Sequence, residues 1–187
     1  MFFNYNIGFV KTQLGNFSYC GNLSLLNGLK VSVAGARAID SASAEWLRNY
    51  ISNCNNTIVS GLALGADSVA HRTALECGLP TIAVLPCGIQ NIAPRNNIGL
   101  AKQIVASGGL LISAYPNKAG ASRDKYIARN KVIAQFGYKL VVPQCEYRSG
   151  TMHTVRFAHE LHKSIVTQNA DYSGNQYIIN NLNGLAK

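Results

Sequence analysis

The chain has 187 residues, 48% hydrophobic and only 13% charged, with seventeen Lys and Arg against eight Asp and Glu for a net charge of +9. That length fits one domain with a substantial core, and the composition excludes a disordered chain. So much positive charge on so few charged residues points to a polyanionic partner, nucleic acid before membrane because no basic amphipathic helix stands out; a basic but inert surface is the alternative.

Met1-Phe2-Phe3 opens the chain without a positive n-region, and no run of roughly 18 apolar residues follows. Neither a signal peptide nor a membrane span is therefore expected. Residues 1–29 lack a helical period. FVKTQLGNFSYC and the turn Gly21-Asn22 read as short strands or an extended N-terminal segment packed on a main domain over residues 30–187. Val31-Ser32-Val33-Ala34 is a predicted strand, Gly35-Ala36-Arg37 a turn, and Ser41 to Asn53 a helix capped by Ser41 or Ser43. Its Trp46, Leu47, Tyr50 and Ile51 share a face, with Trp46 read as core.

The stretch around which the chain is organised comes next, TIVSGLALGADSVAH over Thr57 to His71. A β-branched strand turns at Ser60-Gly61, and a helix from Ala66 to Cys77 follows with Asp67 in its first turn. Such a corner aims backbone N–H groups and the positive end of a helix dipole at one point, which suits phosphate. Thr81 to Leu85 is the third strand, Pro94 to Ser107 a helix, and Leu110 to Ser113 the fourth strand. A polar loop from Pro116 leads to a helix over Arg123 to Phe136, then a strand over Lys139 to Val142. Ser149-Gly150-Thr151 opens a helix to His162, and Ser164 to Thr167 is the sixth strand.

Strand and helix thus alternate six times, which predicts an α/β fold: an open, doubly wound, mostly parallel sheet with helices on both faces. Ligands in such sheets bind beyond the carboxyl ends of the strands, where the turns with Arg37, Ser60-Gly61 and Ser149-Gly150 fall. Neither GxGxxG nor GxxxxGK[ST] is present, so no dinucleotide cofactor is expected.

Arg37 directly follows the glycine that ends the first parallel strand, where a guanidinium can grip phosphate bidentately or pair with a carboxylate such as Asp67. Ser60, Gly61, Ser149, Gly150 and Thr151 offer hydroxyls and N–H donors to phosphate, or serve only as turns and helix caps. Arg123, Tyr126 and Asn130 share a helix face, next to Arg129 and Lys131. Cations that hold a backbone beside a ring that stacks a base are what single-stranded nucleic acid requires; Lys125 reads as a solvated side chain. Asp67 and His71, at i and i+4, form either an acid/base pair or a structural carboxylate and a satisfied histidine, and the second reading is preferred. Cys20, Cys54, Cys77, Cys87 and Cys145 follow no CxxC spacing, and His153, His159 and His162 complete no zinc motif. No metal, disulfide framework or covalent catalysis is expected, and reduced thiols make the cytoplasm the expected location.

These motifs, taken in order, resemble the DNA-processing protein A (DprA, also called Smf) family. The resemblance runs through YCGNLSLL (19–26), VSVAGAR (31–37), IVSGLALGADSVAH (58–71), TIAVLPCGI (81–89), APRNNIGLAKQI (93–104), GGLLISAYP (108–116), YIARNKVIAQFG (126–137), RSGTMHT (148–154) and, more weakly, YSGNQYIINNL (172–182). It implies an extended Rossmann-like domain that binds single-stranded DNA through a basic pocket, and a non-enzymatic binding module is expected. It also implies the loading of a RecA-type recombinase during DNA uptake or recombination, and a homodimer. By motif, the DNA-contacting positions are Gly35, Arg37, Ser60, Gly61, Arg129, Asn130, Lys131, Ser149 and Gly150, with Arg123 and Tyr126 ahead of the RN[RK] motif. The chain departs from the family pattern at Ala36, at Ala114 and at Gln144, the last two standing where the family carries acids around the pocket. A rival reading is a nucleotide sensor or nucleotide hydrolase, since related Rossmann-like pockets bind nucleotides.

Overall fold

A parallel strand buried on both faces must be apolar almost throughout, and the short Val-, Ile- and Leu-rich runs of this chain meet that demand. The computed structural model describes residues 6–186. Chain order begins with a hairpin, β1 (Gly8–Thr12) and β2 (Gly15–Gly21), followed by β3 (Lys30–Val33), α1 (Ser41–Ser52), β4 (Thr57–Ser60), α2 (Ala66–Glu76) and β5 (Thr81–Leu85). Then come α3 (Ile98–Ala106), β6 (Leu110–Ser113), α4 (Arg123–Phe136), β7 (Lys139–Val142), α5 (Thr151–Glu160), β8 (Ser164–Thr167), α6 (Ser173–Asn181) and β9 (Leu185–Ala186).

Among the described residues, nine strands join one sheet in the order β1-β2-β6-β5-β4-β3-β7-β8-β9. Strands β3 to β9 run parallel, while β2 pairs antiparallel with both β1 and β6. The extended segment ahead of residue 30 is thus the antiparallel margin of the same sheet. From β3 the order runs outward through β4, β5 and β6 on one side and through β7 and β8 on the other. The winding therefore reverses between β3 and β7, which is the expected doubly wound arrangement and the place where such sheets bind ligands.

Period-two alternation divides each strand between two helical layers. Val31, Val33, Ile58, Val141 and Val166 pack with Leu47 and Ile51 of α1 and the alanines of α2. Ala83, Leu85 and Leu111 pack with Leu100, Ala101 and Ile104 of α3 on that same side. On the opposite face Val59, Ile82, Val84 and Ile112 meet Ile133 of α4, and Leu140, Val142 and Ile165 meet Met152, Val155 and Ala158 of α5. Polar side chains caught in these layers find carbonyl partners, as buried polar groups must. Ser32 donates to Ile133 O at 2.6 Å and Thr167 to Val142 O at 2.8 Å.

Two helix starts differ from the sequence expectation. The cap of α1 is Asp40, whose carboxylate accepts from Ser43 N at 2.7 Å, so neither Ser41 nor Ser43 plays that part. The helix expected from Pro94 begins at Ile98 after a 3-10 turn over Arg95–Asn97. That turn seats the buried Asn97 amide, which donates to Leu62 O at 2.9 Å and Ala63 O at 3.0 Å and so clasps the loop ahead of α2. Among the described residues, no helix is long and apolar enough to cross a membrane.

Candidate nucleic-acid interface

At the reversal point the carboxyl ends of β3 and β7 and the flank of α4 enclose a cavity of about 860 Å³. Gly35 and Arg37 enter its wall from the end of β3; Ser149, Gly150 and Thr151 enter from the start of α5; Arg123, Tyr126, Arg129 and Asn130 enter from α4. The face predicted at i, i+3 and i+7 on α4 is therefore the face that lines it. Ser60, Gly61 and Lys131 are not in the wall. Ser60 is buried beneath it with its hydroxyl donating to Val33 O at 2.9 Å. Lys131 is exposed on α4, one turn beyond Ile127, which does line the cavity.

The floor is Arg129, only 5% exposed, with Nη1 3.4 Å from Oδ2 of the buried Asp67. Gly61 explains how it fits. A Cβ there would lie 0.9 Å from Arg129 Nη1, so only a residue without a side chain lets the guanidinium reach across to Asp67. Gly65, the N-cap of α2 with φ of 71°, has a second such constraint: a Cβ would stand 2.2 Å from Ala36 O and 2.4 Å from Arg37 O. The GAR turn and the start of α2 can touch only because Gly65 is bare.

Asp67, the carboxylate offered as a partner for Arg37, pairs with Arg129 instead, and among the described residues Arg37 forms no ion pair. Arg37 Cζ instead lies 4.9 Å from the centroid of the Tyr126 ring, and Arg129 Cζ lies 5.5 Å from it. Burial and, less strongly, the Arg37 charge lower the pKa of Arg129, against the opposing pull of Asp67. Among the described residues its buried Nε has no hydrogen-bond partner, nor has Ser149 Oγ. A guanidinium and a hydroxyl left unsatisfied in one basic hollow are the complement of an anion's oxygens.

The anion corner expected at Ser60-Gly61 carries its own anion. Asp67 Oδ2 accepts from Ala63 N at 3.1 Å and faces the Arg129 guanidinium, so the start of α2 is already compensated. The start of α5 differs, having no acidic residue in its first turn and no side-chain cap on Gly150. Its positive dipole end is therefore left for a ligand. Asn130 Nδ2 ties α4 to this corner by donating to Gly150 O at 3.3 Å.

Among the wall residues not singled out from the sequence are Tyr147, Arg148 and Arg156, and His153 was weighed there only as a metal ligand. Arg148 stands in the RSG motif, and His153 and Arg156 follow Ser149-Gly150 at helical spacing, so the stripe 149, 153, 156 was the available signal. Five arginines now surround the hollow, with Asp67 the one carboxylate in its wall. Ala114 and Gln144 do not line it; Gln144 Oε1 accepts from Asp40 N at 2.9 Å, so the two substituted acids do not change the wall's charge.

The other candidates resolve as structure. Thr81 Oγ1 donates to Ile58 O at 3.0 Å, so it accepts from His71 Nδ1–H at 2.7 Å, which fixes that tautomer. Burial lowers the His71 pKa to about 4. The Cys87 thiol is pushed up by burial, and that of Cys145 is pushed up to about 12 by burial and the Glu146 charge, the opposite of an activated nucleophile.

A doubly wound α/β sheet with an arginine-lined hollow at its reversal point defines a Rossmann-like protein with a basic hollow where such sheets bind ligands. The sequence pattern of one family, DNA recombination-mediator protein A, matches residues 13–183, and the chain belongs to that family. It is 35% identical over 144 residues to DNA processing protein DprA of Streptococcus pneumoniae, covering 76% of this chain and 51% of that protein. It is 34% identical over 143 residues to Protein Smf of Escherichia coli, covering 75% of this chain and 38% of that one. The chain thus spans about half of the first of these curated relatives and 38% of the second. The X-ray structure of the S. pneumoniae protein matches with a TM-score of 0.89 at 26% identity, over 100% of this chain and 72% of that one. DNA processing protein A of Helicobacter pylori, whose structure describes its single-stranded DNA binding mode, matches with a TM-score of 0.86 at 23% identity over 98% and 91%.

Proposed function

We propose that the chain is a single-stranded DNA-binding module of the DNA-uptake and recombination machinery. One observation carries this reading: five arginines converge on a hollow whose floor guanidinium has an unpartnered buried Nε. Arg37, Arg123, Arg148 and Arg156 neutralise phosphates, Arg129 and Ser149 supply the unsatisfied donors, and the start of α5 adds its dipole. Lys131 takes a phosphate of the strand beyond the wall, along α4. A recessed floor suits an unpaired strand, which can turn phosphates inward; a duplex, stiff over ~50 nm, presents them on a convex surface. Asp67 is engaged by Arg129 and Ala63 N–H, so it serves the site by holding the floor in place and not as a general base.

The resemblance of the motifs adds the finer parts of the reading: loading of a RecA-type recombinase, a homodimeric state and a cytoplasmic location. Titration of a labelled oligonucleotide against the matching duplex tests the binding claim, with tighter binding of the single strand expected. A second reading, a nucleotide sensor, rests on the cavity volume, which falls among small-ligand pockets. A thermal-shift series separates the two, since stabilisation by a mononucleotide without oligonucleotide binding favours the sensor.

A further inference from the structure

We propose that Tyr147, braced by Tyr177, is the platform on which a base of the bound strand stacks; this rests on the reading that the cavity holds single-stranded DNA. Tyr126, the ring that the sequence offers for stacking, is half-buried and lies within 5.5 Å of two guanidinium carbons. Its π-surface is engaged by cations. Tyr147 is 40% exposed and still part of the cavity wall, whereas the more exposed Phe9 and Leu29 lie outside it.

The Tyr147 ring is held ready. Tyr177 of α6 packs against it with centroids 4.7 Å apart and planes at 56°. The Tyr147 backbone N–H donates to Ser173 Oγ at 2.9 Å, and the Ser173 hydroxyl donates in turn to the Glu146 carboxylate. The loop and the start of α6 are thereby fastened together. Arg148 to Thr151 follow directly, line the cavity and lead into α5. A strand with phosphates on Arg148 and the start of α5 therefore leaves the cavity past an ordered ring. Stacking there accepts any base, since every base has a π-face, and a pre-ordered ring adds little ordering cost.

The test compares two probes of equal length and charge, an oligothymidine and an abasic deoxyribose-phosphate chain, on the wild type and Tyr147→Ala. The substitution is expected to weaken oligothymidine binding roughly 5- to 150-fold, to leave abasic binding unchanged and to leave the salt slope unchanged. Tyr147→Phe and Tyr147→Trp retain affinity. Tyr147→Leu, which keeps an apolar contact with Tyr177 but has no π-face, repeats the alanine pattern and separates stacking from a folding defect. Equal losses on both probes, or no loss on either, overturn the platform while leaving the cavity reading intact. A wild type that binds neither probe overturns both.

Discussion

Substituting Gly61 by alanine tests how the floor of the cavity is built. The new Cβ would lie 0.9 Å from Arg129 Nη1, 2.1 Å from its Cζ and 2.8 Å from Asp67 Oδ2, so the guanidinium must leave its place. Removing one member of a buried ion pair costs roughly 3–5 kcal/mol, because the other charge stays buried without compensation. Here Arg129 can swing into the hollow and regain water, which puts the expected loss at the lower end, about 3 kcal/mol. Urea unfolding of wild type and Gly61→Ala measures it directly. Adding Asp67→Asn removes the stranded carboxylate, so the double variant is expected to lose clearly less than the sum of the two single losses. A Gly61→Ala protein within 0.5 kcal/mol of wild type, or strict additivity in the double variant, would refute the ion-pair account of this glycine.

Arg37→Ala is expected to weaken oligonucleotides of all sequences alike and to make the log–log salt slope shallower by roughly 0.7; unchanged affinity removes Arg37 from the site. His71 stays neutral in the fold to about pH 4, while the unfolded residue takes up its proton near pH 6.5. Between those values the unfolded chain holds one more proton, so stability is full above pH 6.5 and falls by about 3 kcal/mol towards pH 4. A His71 imidazole resonance, assigned by its loss in His71→Gln, that titrates near 6.5 in the folded protein would contradict this. Asn97→Ala strands the carbonyl of Leu62, at roughly 1–3 kcal/mol if it stays dry, while Ala63 O keeps the Ser68 hydroxyl at 2.7 Å. A urea midpoint equal to that of wild type would show that water takes the amide's place.

Much of this architecture was legible because continuous apolar, β-branched runs and glycine corners are local signals. The parallel runs from Val31 to Thr167 and the face shared by Arg123, Tyr126 and Asn130 needed only spacing. Pairings across the fold were not legible. Asp67 and Arg129 are 62 positions apart, and nothing near either residue shows that one neutralises the other. For the same reason Gly61 read as a phosphate-binding turn, when its bareness serves the Arg129 side chain. Arg148, in a turn, and Arg156, on a polar helix face, passed unremarked because a lone arginine has no signature until the fold shows where it lies. α6 was seen only as a weak motif, since SGNQYIINN is rich in residues of poor helix propensity and is held by tertiary bonds such as Asn175 to Cys145 N.

Fluorescence anisotropy of a labelled single-stranded oligonucleotide across a series of salt concentrations bears most directly on the claim that the arginine-lined hollow holds a sugar–phosphate strand. Three to five phosphates neutralised there give a log–log slope of roughly −2 to −3.5, with the matching duplex bound more weakly at each concentration. A flat salt response, or equal affinity for the duplex, would contradict it.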